Sequence, residues 1–446
     1  MRFGSNPSTS ANPSTSGVPL MCRRAVRLEL VNSFFFAIVL AAIEPGVVSV
    51  YVKQSFGEQV SASALAFAVA FVGSSGEFAN ILSFIWTPLN QAKPKVPFIN
   101  RLQAGVLACV LLMAAIPVSG AGLVCLLVCM LAARVLWSGI ITVRPTVWRA
   151  NYPRDVRAGL VGRFGLIEVL VIAAVSLSIG LVLDVRPGLY SPVLIATAVL
   201  GVGAIASLSR LRVRREHRVL REESKRTTMK PWQWPASLYA VLRKDKFYAR
   251  FMLCMFVLGF GNLMLPPITV IIAKDQFGLT YLPSILLITV GPRLVQAASI
   301  PMWARLLNRT HVVRFRSIHS WTFVVAGVAF TAGAASGSLA LLAMGTTLMG
   351  LGFGGGALAW NLGHTDFAPV SETSHYMATH LTLNGIRGIV APFLSVAIFQ
   401  ALTKWQLPAG AIVYGTALAI SAAGAFGFVA LNRAMGELAA KVSRHS

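Results

Sequence analysis

The sequence has few charged residues. Asp, Glu, Lys and Arg make up 12% of its 446 residues, whereas a soluble globular protein usually carries about 25%. It also lacks the short alternating strands that would predict a membrane β-barrel. These two absences exclude an ordinary soluble domain and a barrel.

Long apolar runs are present instead. A helix needs about 20 residues, each rising about 1.5 Å, to cross a bilayer. Twelve runs are long enough, and we predict an all-α polytopic membrane protein with twelve transmembrane helices. The runs cover 27–53, 61–87, 101–119, 121–147, 158–183, 190–210, 249–273, 281–307, 319–336, 338–362, 376–402 and 408–433.

Acidic residues are scarce as well: 15 Asp and Glu stand against 39 Lys and Arg. The basic residues lie in the predicted loops 88–101, 148–163 and 304–316 and in the segment 210–250, which holds 13 Lys and Arg and four acids. This is the positive-inside pattern, and it predicts that both termini are cytoplasmic. Membrane orientation explains the net charge of +24 without a nucleic-acid partner. We expect a bacterial inner membrane and contacts with anionic lipids.

Signals for cofactor chemistry are missing. No Walker-type phosphate loop is present, and four of the five cysteines fall inside predicted spans. A few polar residues cluster near residue 370, namely His364, Asp366, His375 and His380, but their spacing fits no defined metal site. We therefore predict a non-enzymatic protein without a cofactor or a bound metal.

Two basic loops repeat one another at an offset of 217 residues. Each has Trp, Leu, Val and Phe at the same spacing. The residues are Trp86, Leu89, Val96 and Phe98 in the first copy and Trp303, Leu306, Val313 and Phe315 in the second. The repeat predicts two six-helix units that insert with the same orientation, as parallel repeats.

The longest polar stretch divides the spans six and six. We predict a disordered tail at 1–21, an N-terminal bundle at 22–210, a basic cytoplasmic linker at 211–247, a C-terminal bundle at 248–436 and a cytoplasmic tail at 437–446.

The second repeated loop, "WARLLNRTHVVRFR", is similar to the fingerprint of the major facilitator superfamily, Gly-x-x-x-Asp-Arg-x-Gly-Arg-Arg, with Asn308-Arg309 in place of Asp-Arg. The first copy, "WTPLNQAKPKVPF", lacks both the Asp and the paired Arg, whereas "YPRDVRAGLVGR" resembles the loop after the fourth helix of that family. The resemblance implies secondary transport by alternating access. It does not extend to the drug-antiporter branch, whose proline-glycine motif is absent.

The resemblance also implies that the two repeated loops act as latches where the halves part and rejoin. The alternative is that they only set topology and anchor a Trp at the membrane interface. The candidate residues for gating and latching are Glu77, Trp86, Lys93, Lys95, Trp303, Arg305 and Arg309.

Charged residues near the middle of the membrane are the strongest candidates for mechanism, because each costs roughly 2.5–3.5 kcal/mol to insert. Besides Glu77, the candidates for the substrate and proton pathway are Glu44, Arg134, Glu168, Arg293 and Arg387. In one hypothesis Arg293 and Arg387 hold an anionic substrate group while Glu44 or Glu168 takes up and releases a proton. In the other, these residues form structural ion pairs.

The sequence thus predicts a secondary transporter of a small organic anion or zwitterion with proton coupling. The alternative is a transporter-like receptor or assembly scaffold. The first loop favours this alternative because it departs from the transporter fingerprint.

Overall fold

The computed structural model describes residues 19–225, 234–368 and 373–445, and every regular element in these ranges is helical. Twelve helices are long and apolar enough to cross a membrane, which confirms the predicted fold. They are α1 (Leu20–Ser55), α2 (Ala62–Leu82), α3 (Lys95–Ala114), α4 (Gly120–Asn151), α5 (Arg154–Val185), α6 (Tyr190–Ser209), α7 (Lys246–Asp275), α8 (Tyr281–Asn308), α9 (Val312–Ser336), α10 (Leu339–Leu362), α11 (Thr373–Lys404) and α12 (Ala409–His445).

α1, α7 and α8 each contain an irregular segment. α1 consists of two segments, Leu20–Ala42 and Pro45–Ser55, because a proline has no backbone N–H and begins a new helix at its first position. α8 contains a π-helical turn at Leu286–Val290, and α7 contains Pro266 and Pro267. Irregular backbone at membrane depth is tolerated where it is buried in protein or lines a cavity.

The apolar side chains form two main cores. The first contains mostly residues of α1 to α6, such as Val39 and Ile140, and the second mostly residues of α7 to α12, such as Met264 and Phe428. Because six helices return the chain to its starting side, the two bundles are parallel repeats.

The loops after α2, α4, α6, α8 and α10 lie at the same end of the bundle as the start of α1 and the end of α12, and we call this end the basic face. The loops after the odd-numbered helices form the opposite face. Two short helices, Glu216–Ser224 and Trp234–Lys244, lie between α6 and α7. The predicted domain boundaries and cytoplasmic orientation stay predictions. Residues 1–18 of the predicted disordered tail, 226–233 of the linker and Ser446 lie outside the described ranges.

One predicted boundary is wrong in a way that affects the site. α9 begins at Val312 rather than near residue 319, and the side chain of His311 accepts from the backbone N–H of Val313 at its start. The sequence predicts Arg316 in the basic loop 304–316, but it lies inside this helix and is 4% exposed.

Candidate functional site: a charged cavity between the two halves

A cavity of about 530 Å³ lies between the two halves. Its deep end is formed by Gly46 and Thr289, beside the break in α1 and the π-turn of α8, and it extends to Asn80 and Trp360 toward the basic face. Its volume lies within the range of roughly 300–1,000 Å³ that is common for small-molecule sites.

Direct contacts join the halves on the opposite face. Lys53 Nζ of α1 lies 2.7 Å from Asp275 Oδ2 of α7. The carboxylate of Asp184, at the end of α5, accepts hydrogen bonds from the backbone N–H groups of Tyr281 at 2.8 Å and Leu282 at 3.2 Å. The first turn of α8 is therefore bound to the first half beyond the deep end of the cavity.

At the basic-face end, α2 and α11 are in close contact. A side chain added at Gly388 would overlap Glu77, and one at Gly385 would overlap Ile81. Two glycines with the same spacing lie 223 residues earlier in the sequence, Gly162 and Gly165 of α5. They have no neighbouring atom within 4 Å of an added Cβ in the part of the chain that the structure describes. The two seams between the halves therefore differ.

An ion pair joins the halves inside the cavity. Arg293 of α8 donates from Nη2 to Glu44 Oε1 of α1 at 2.7 Å. Glu44 is the residue before the second segment of α1, and only 8% of it is exposed. The approach of α1 to α8 requires glycine at position 46, because a Cβ there would overlap Thr289 Oγ1.

Glu77 of α2 lines the cavity nearer the basic face. Its Oε2 accepts from Asn80 Nδ2 at 3.1 Å and from Asn384 Nδ2 of α11 at 2.6 Å. Glu77 therefore contacts both halves and places its charge at the cavity. Its role in gating stays a prediction.

Arg387 of α11 is 9% exposed and lies across Gly259 of α7. Its guanidinium donates to the backbone carbonyl of Met255 and to Asn384 Oδ1. Arg387 also lines the cavity. Both predicted anion-binding arginines, Arg293 and Arg387, thus reach it.

Arg134 and Glu168 lie near this cluster but are not among its described lining residues. Arg134 Nη2 is 3.0 Å from a Cβ built at Gly76, and the charges of Glu44, Glu77 and Glu168 act on it. Their place in a proton pathway stays a prediction.

The repeated loops contact their own halves in this structure. Trp86 Nε1 donates to Ser138 Oγ of α4 at 3.0 Å, and Trp303 Nε1 donates to the Leu351 carbonyl of α10 at 2.8 Å. Lys95 Nζ binds Glu223 Oε2 of the short helix Glu216–Ser224 at 2.5 Å.

The other basic residues of these loops differ from Lys95. Lys93, Arg305 and Arg309 are exposed, and no side-chain hydrogen bond of theirs occurs within the described residues. The latch role of both loops stays a prediction.

Sequence reasoning missed two buried groups. Glu29 of α1 and Arg144 of α4 form an ion pair of 2.7 Å, with side chains 0% and 6% exposed. Both are inside predicted runs but near their ends, where charge is common. The second group is Arg316 of α9, whose Nη1 lies 3.3 Å from His319 Nδ1. Arg316 lines the cavity.

Comparison with known proteins agrees with this architecture. Residues 30–392 match the family model described as Major Facilitator Superfamily, and no curated protein matches the chain. The fold is similar to a crystal structure of a mutant of the nucleoside transporter NupG, with a TM-score of 0.71, 14% identity and coverage of 91% of this chain and 99% of that one.

Two further crystal structures are similar. The D-xylose-proton symporter has a TM-score of 0.70 at 11% identity, with 92% of this chain and 97% of that chain covered. A POT family transporter in complex with a thioalcohol conjugated peptide has a TM-score of 0.69 at 12% identity, with 91% and 96% covered. At such identities the similarity shows the fold alone.

Proposed function

Because the chain belongs to the major facilitator superfamily, we propose that its cavity carries a small organic anion together with a proton. The family and the neighbouring folds make the protein a secondary transporter rather than an enzyme. The charge of the substrate and the coupling to protons are the proposed part.

The observation that carries the proposal is the ion pair between Glu44 and Arg293. It lies at the deep end of the cavity and joins α1 of one half to α8 of the other. Alternating access requires the halves to move against each other, so the pair is placed where substrate binding and that movement can be coupled.

Protonation of Glu44 links the proton to the anion. While Glu44 is ionised, it occupies a hydrogen-bonding group of Arg293 that an anion would need. A proton on Glu44 weakens this bond, and an anion can then bind Arg293 in a forked geometry. Binding one proton and one negative charge leaves the local charge unchanged, so neither group is left as a buried unpaired charge.

The lining charges favour an anion over a zwitterion. Among the described lining residues, three arginines face two carboxylates, an excess of one positive charge. These residues are Arg293, Arg316, Arg387, Glu44 and Glu77.

The test is uptake by the purified protein in liposomes, with and without an imposed pH gradient. The panel contains aryl carboxylates, aryl sulfonates and aryl phosphates beside sugars and organic cations. We expect the gradient to accelerate uptake of at least one anion. In Glu44→Gln uptake should continue without responding to the gradient, whereas Glu58→Gln, an exposed carboxylate in the loop after α1, should behave as the wild type.

Two results would overturn the proposal. One is uptake of sugars or cations but of no anion, and the other is a gradient response that survives in Glu44→Gln. If no compound in the panel is carried, the receptor or scaffold alternative is favoured.

A further inference from the structure

Two arginines in the cavity wall form no ion pair with a carboxylate of the described residues. Arg316 of α9 and Arg387 of α11 are 4% and 9% exposed. Within the described residues, neither guanidinium has a carboxylate oxygen within 4.0 Å, and the Nε of each has no hydrogen-bond acceptor. Both arginines line the cavity.

This arrangement is unfavourable in an empty site. Taking an ion out of water costs several kcal/mol, which a nearby opposite charge offsets. The chain provides such a charge elsewhere, since the buried Arg144 is paired with Glu29. Arg387 instead donates to the carbonyl of Met255 and the amide oxygen of Asn384, and Glu77, which accepts from the same amide, acts on it by its charge without a direct hydrogen bond.

Arg316 is held in place by a histidine. His319 Nε2 lies 2.7 Å from the Gly352 carbonyl oxygen, so Nε2 carries the proton and donates to it. That assignment leaves Nδ1 as the acceptor for Arg316 Nη1 at 3.3 Å. The ring has no negative charge, so His319 orients the guanidinium without neutralising it.

An apolar wall lies beside the two arginines. Phe323, Phe353 and Trp360 line the same cavity, and the rings of Phe323 and Phe353 pack edge to face with centroids 6.0 Å apart. A ligand here would place an aromatic or other apolar body against these rings and its charges on the guanidinium groups.

We propose that Arg316 and Arg387 form a second anion-binding site and that the substrate is an organic dianion with an apolar body. This inference rests on the proposed function, in which Arg293 binds the first negative group. The charges then balance: three arginines and two glutamates leave +1 on the cavity lining, and a dianion with one proton adds −1.

Three ligands with the same ring and permanently fixed charges test the proposal: meta-benzenedisulfonate, benzenesulfonate and benzenesulfonamide. Binding to the purified full-length protein is measured by titration calorimetry. A hydrogen bond to a charged group contributes about 1.5–3 kcal/mol, so we expect the disulfonate to bind at least about tenfold more tightly than the monosulfonate. Arg316→Gln and Arg387→Gln should lose this preference, and Arg316→Lys should keep part of it.

The control is Arg210→Gln, which changes an exposed arginine at the end of α6 and should keep the full preference. Thermal stability without ligand gives a second readout. Because Arg316→Gln removes an unpaired buried charge, its melting temperature should equal or exceed that of the wild type. If Arg316 instead had a purely structural role, the substitution would lower the melting temperature.

Three results would overturn the dianion site: equal affinity for the disulfonate and the monosulfonate, no binding of the disulfonate, or a preference that survives in both Gln variants. The outcomes separate this inference from the proposed function. Disulfonate binding without proton-coupled flux would support the dianion site and overturn proton coupling. Proton-coupled uptake of a monoanion, with no gain in affinity from a second charge, would support proton coupling and overturn the dianion site.

Discussion

The side-chain amide of Asn384 links a carboxylate on one half to a guanidinium on the other. Its Nδ2 donates to Glu77 Oε2 of α2 at 2.6 Å, and its Oδ1 accepts from Arg387 Nη2 at 2.5 Å. Gly388, one turn away on α11, allows this close approach because any side chain there would overlap Glu77. The amide therefore holds the carboxylate of Glu77 close to a buried arginine of the cavity wall, and the two opposite charges attract each other.

Glu77→Gln should strengthen anion binding. The substitution preserves the shape of the side chain and removes the charge that partly offsets Arg387. We expect affinity for meta-benzenedisulfonate to rise about threefold to tenfold, which corresponds to roughly 0.7–1.4 kcal/mol. Calorimetry measures it, with Glu58→Gln as the control. An unchanged or weaker affinity would show that Glu77 does not act on the site through its charge.

Valine at Gly388 and at Gly165 should have different effects. Gly388→Val places atoms on Glu77 and should lower the melting temperature, while Gly165→Val meets open space and should leave it unchanged. If α5 packs on α8 during the cycle as α11 packs on α2 here, Gly165→Val should still reduce the rate of uptake. Normal transport by a stable Gly165→Val protein would contradict that closure.

Asp184→Ala should weaken the contact between the halves on the opposite face. It removes three hydrogen bonds at the start of α8, from Thr280 Oγ1 and the backbone N–H groups of Tyr281 and Leu282. Asp275→Asn removes only a partly exposed ion pair, which contributes about 0.2–1 kcal/mol.

The readout is maleimide labelling of Ile288→Cys, a cavity position, by a membrane-impermeant reagent added on the opposite face of a protein whose native cysteines have been replaced. Labelling should be faster in Asp184→Ala than in Asp275→Asn. The reverse order would mean that the cap of α8 does not hold this face closed.

The buried pair between Glu29 and Arg144 should be important for stability. Breaking it with Glu29→Gln leaves a buried guanidinium without a charged partner and should destabilise the protein by about 3–5 kcal/mol. Glu222→Gln is the matched control, because Glu222 also pairs with an arginine but on the surface: the side chain of Arg218 is 71% exposed and that of Glu222 is 58% exposed. That variant should lose only about 0.3–0.5 kcal/mol. Comparable melting temperatures for the two variants would contradict the assignment.

Lys95 and Lys93 should differ although they are two residues apart. Lys95 is fully buried and holds Glu223 through a bond of 2.5 Å, whereas Lys93 is exposed. Lys95→Met should release the short helix Glu216–Ser224 and make trypsin cleave within it several times faster. Lys93→Met should be cleaved at the wild-type rate. Equal cleavage rates in both variants would show that the bond between Lys95 and Glu223 does not hold the short helix in place.

Much of the fold could be predicted from the sequence, because the length of an apolar run and the periodic placement of charge are local properties. The twelve spans follow from them, and the repeat follows from the matching spacing of Trp, Leu, Val and Phe in two loops 217 residues apart. The partner of a charge is not local: Glu44 and Arg293 are 249 residues apart and meet only because two irregular helices pack together.

The burial of a charged residue, and the side of the helix on which it lies, also cannot be predicted from local sequence. Arg316 lies in a basic stretch of sequence that is typical of a loop, and it is buried by the packing of α9 against neighbouring helices, chiefly α12. Arg134 and Glu168, predicted for the substrate and proton pathway, are not among the described residues of the cavity lining, because the side of a helix that faces a cavity depends on its neighbours.

The most direct test of the central claim is proton uptake during anion binding. Purified protein in a weakly buffered solution at neutral pH receives meta-benzenedisulfonate, which cannot exchange protons itself, and a pH indicator records the change. The wild type should take up close to one proton per anion bound, and Glu44→Gln should bind the anion without uptake. Binding to the wild type with no proton uptake, or equal uptake by Glu44→Gln, would contradict the coupling of Glu44 to the anion site.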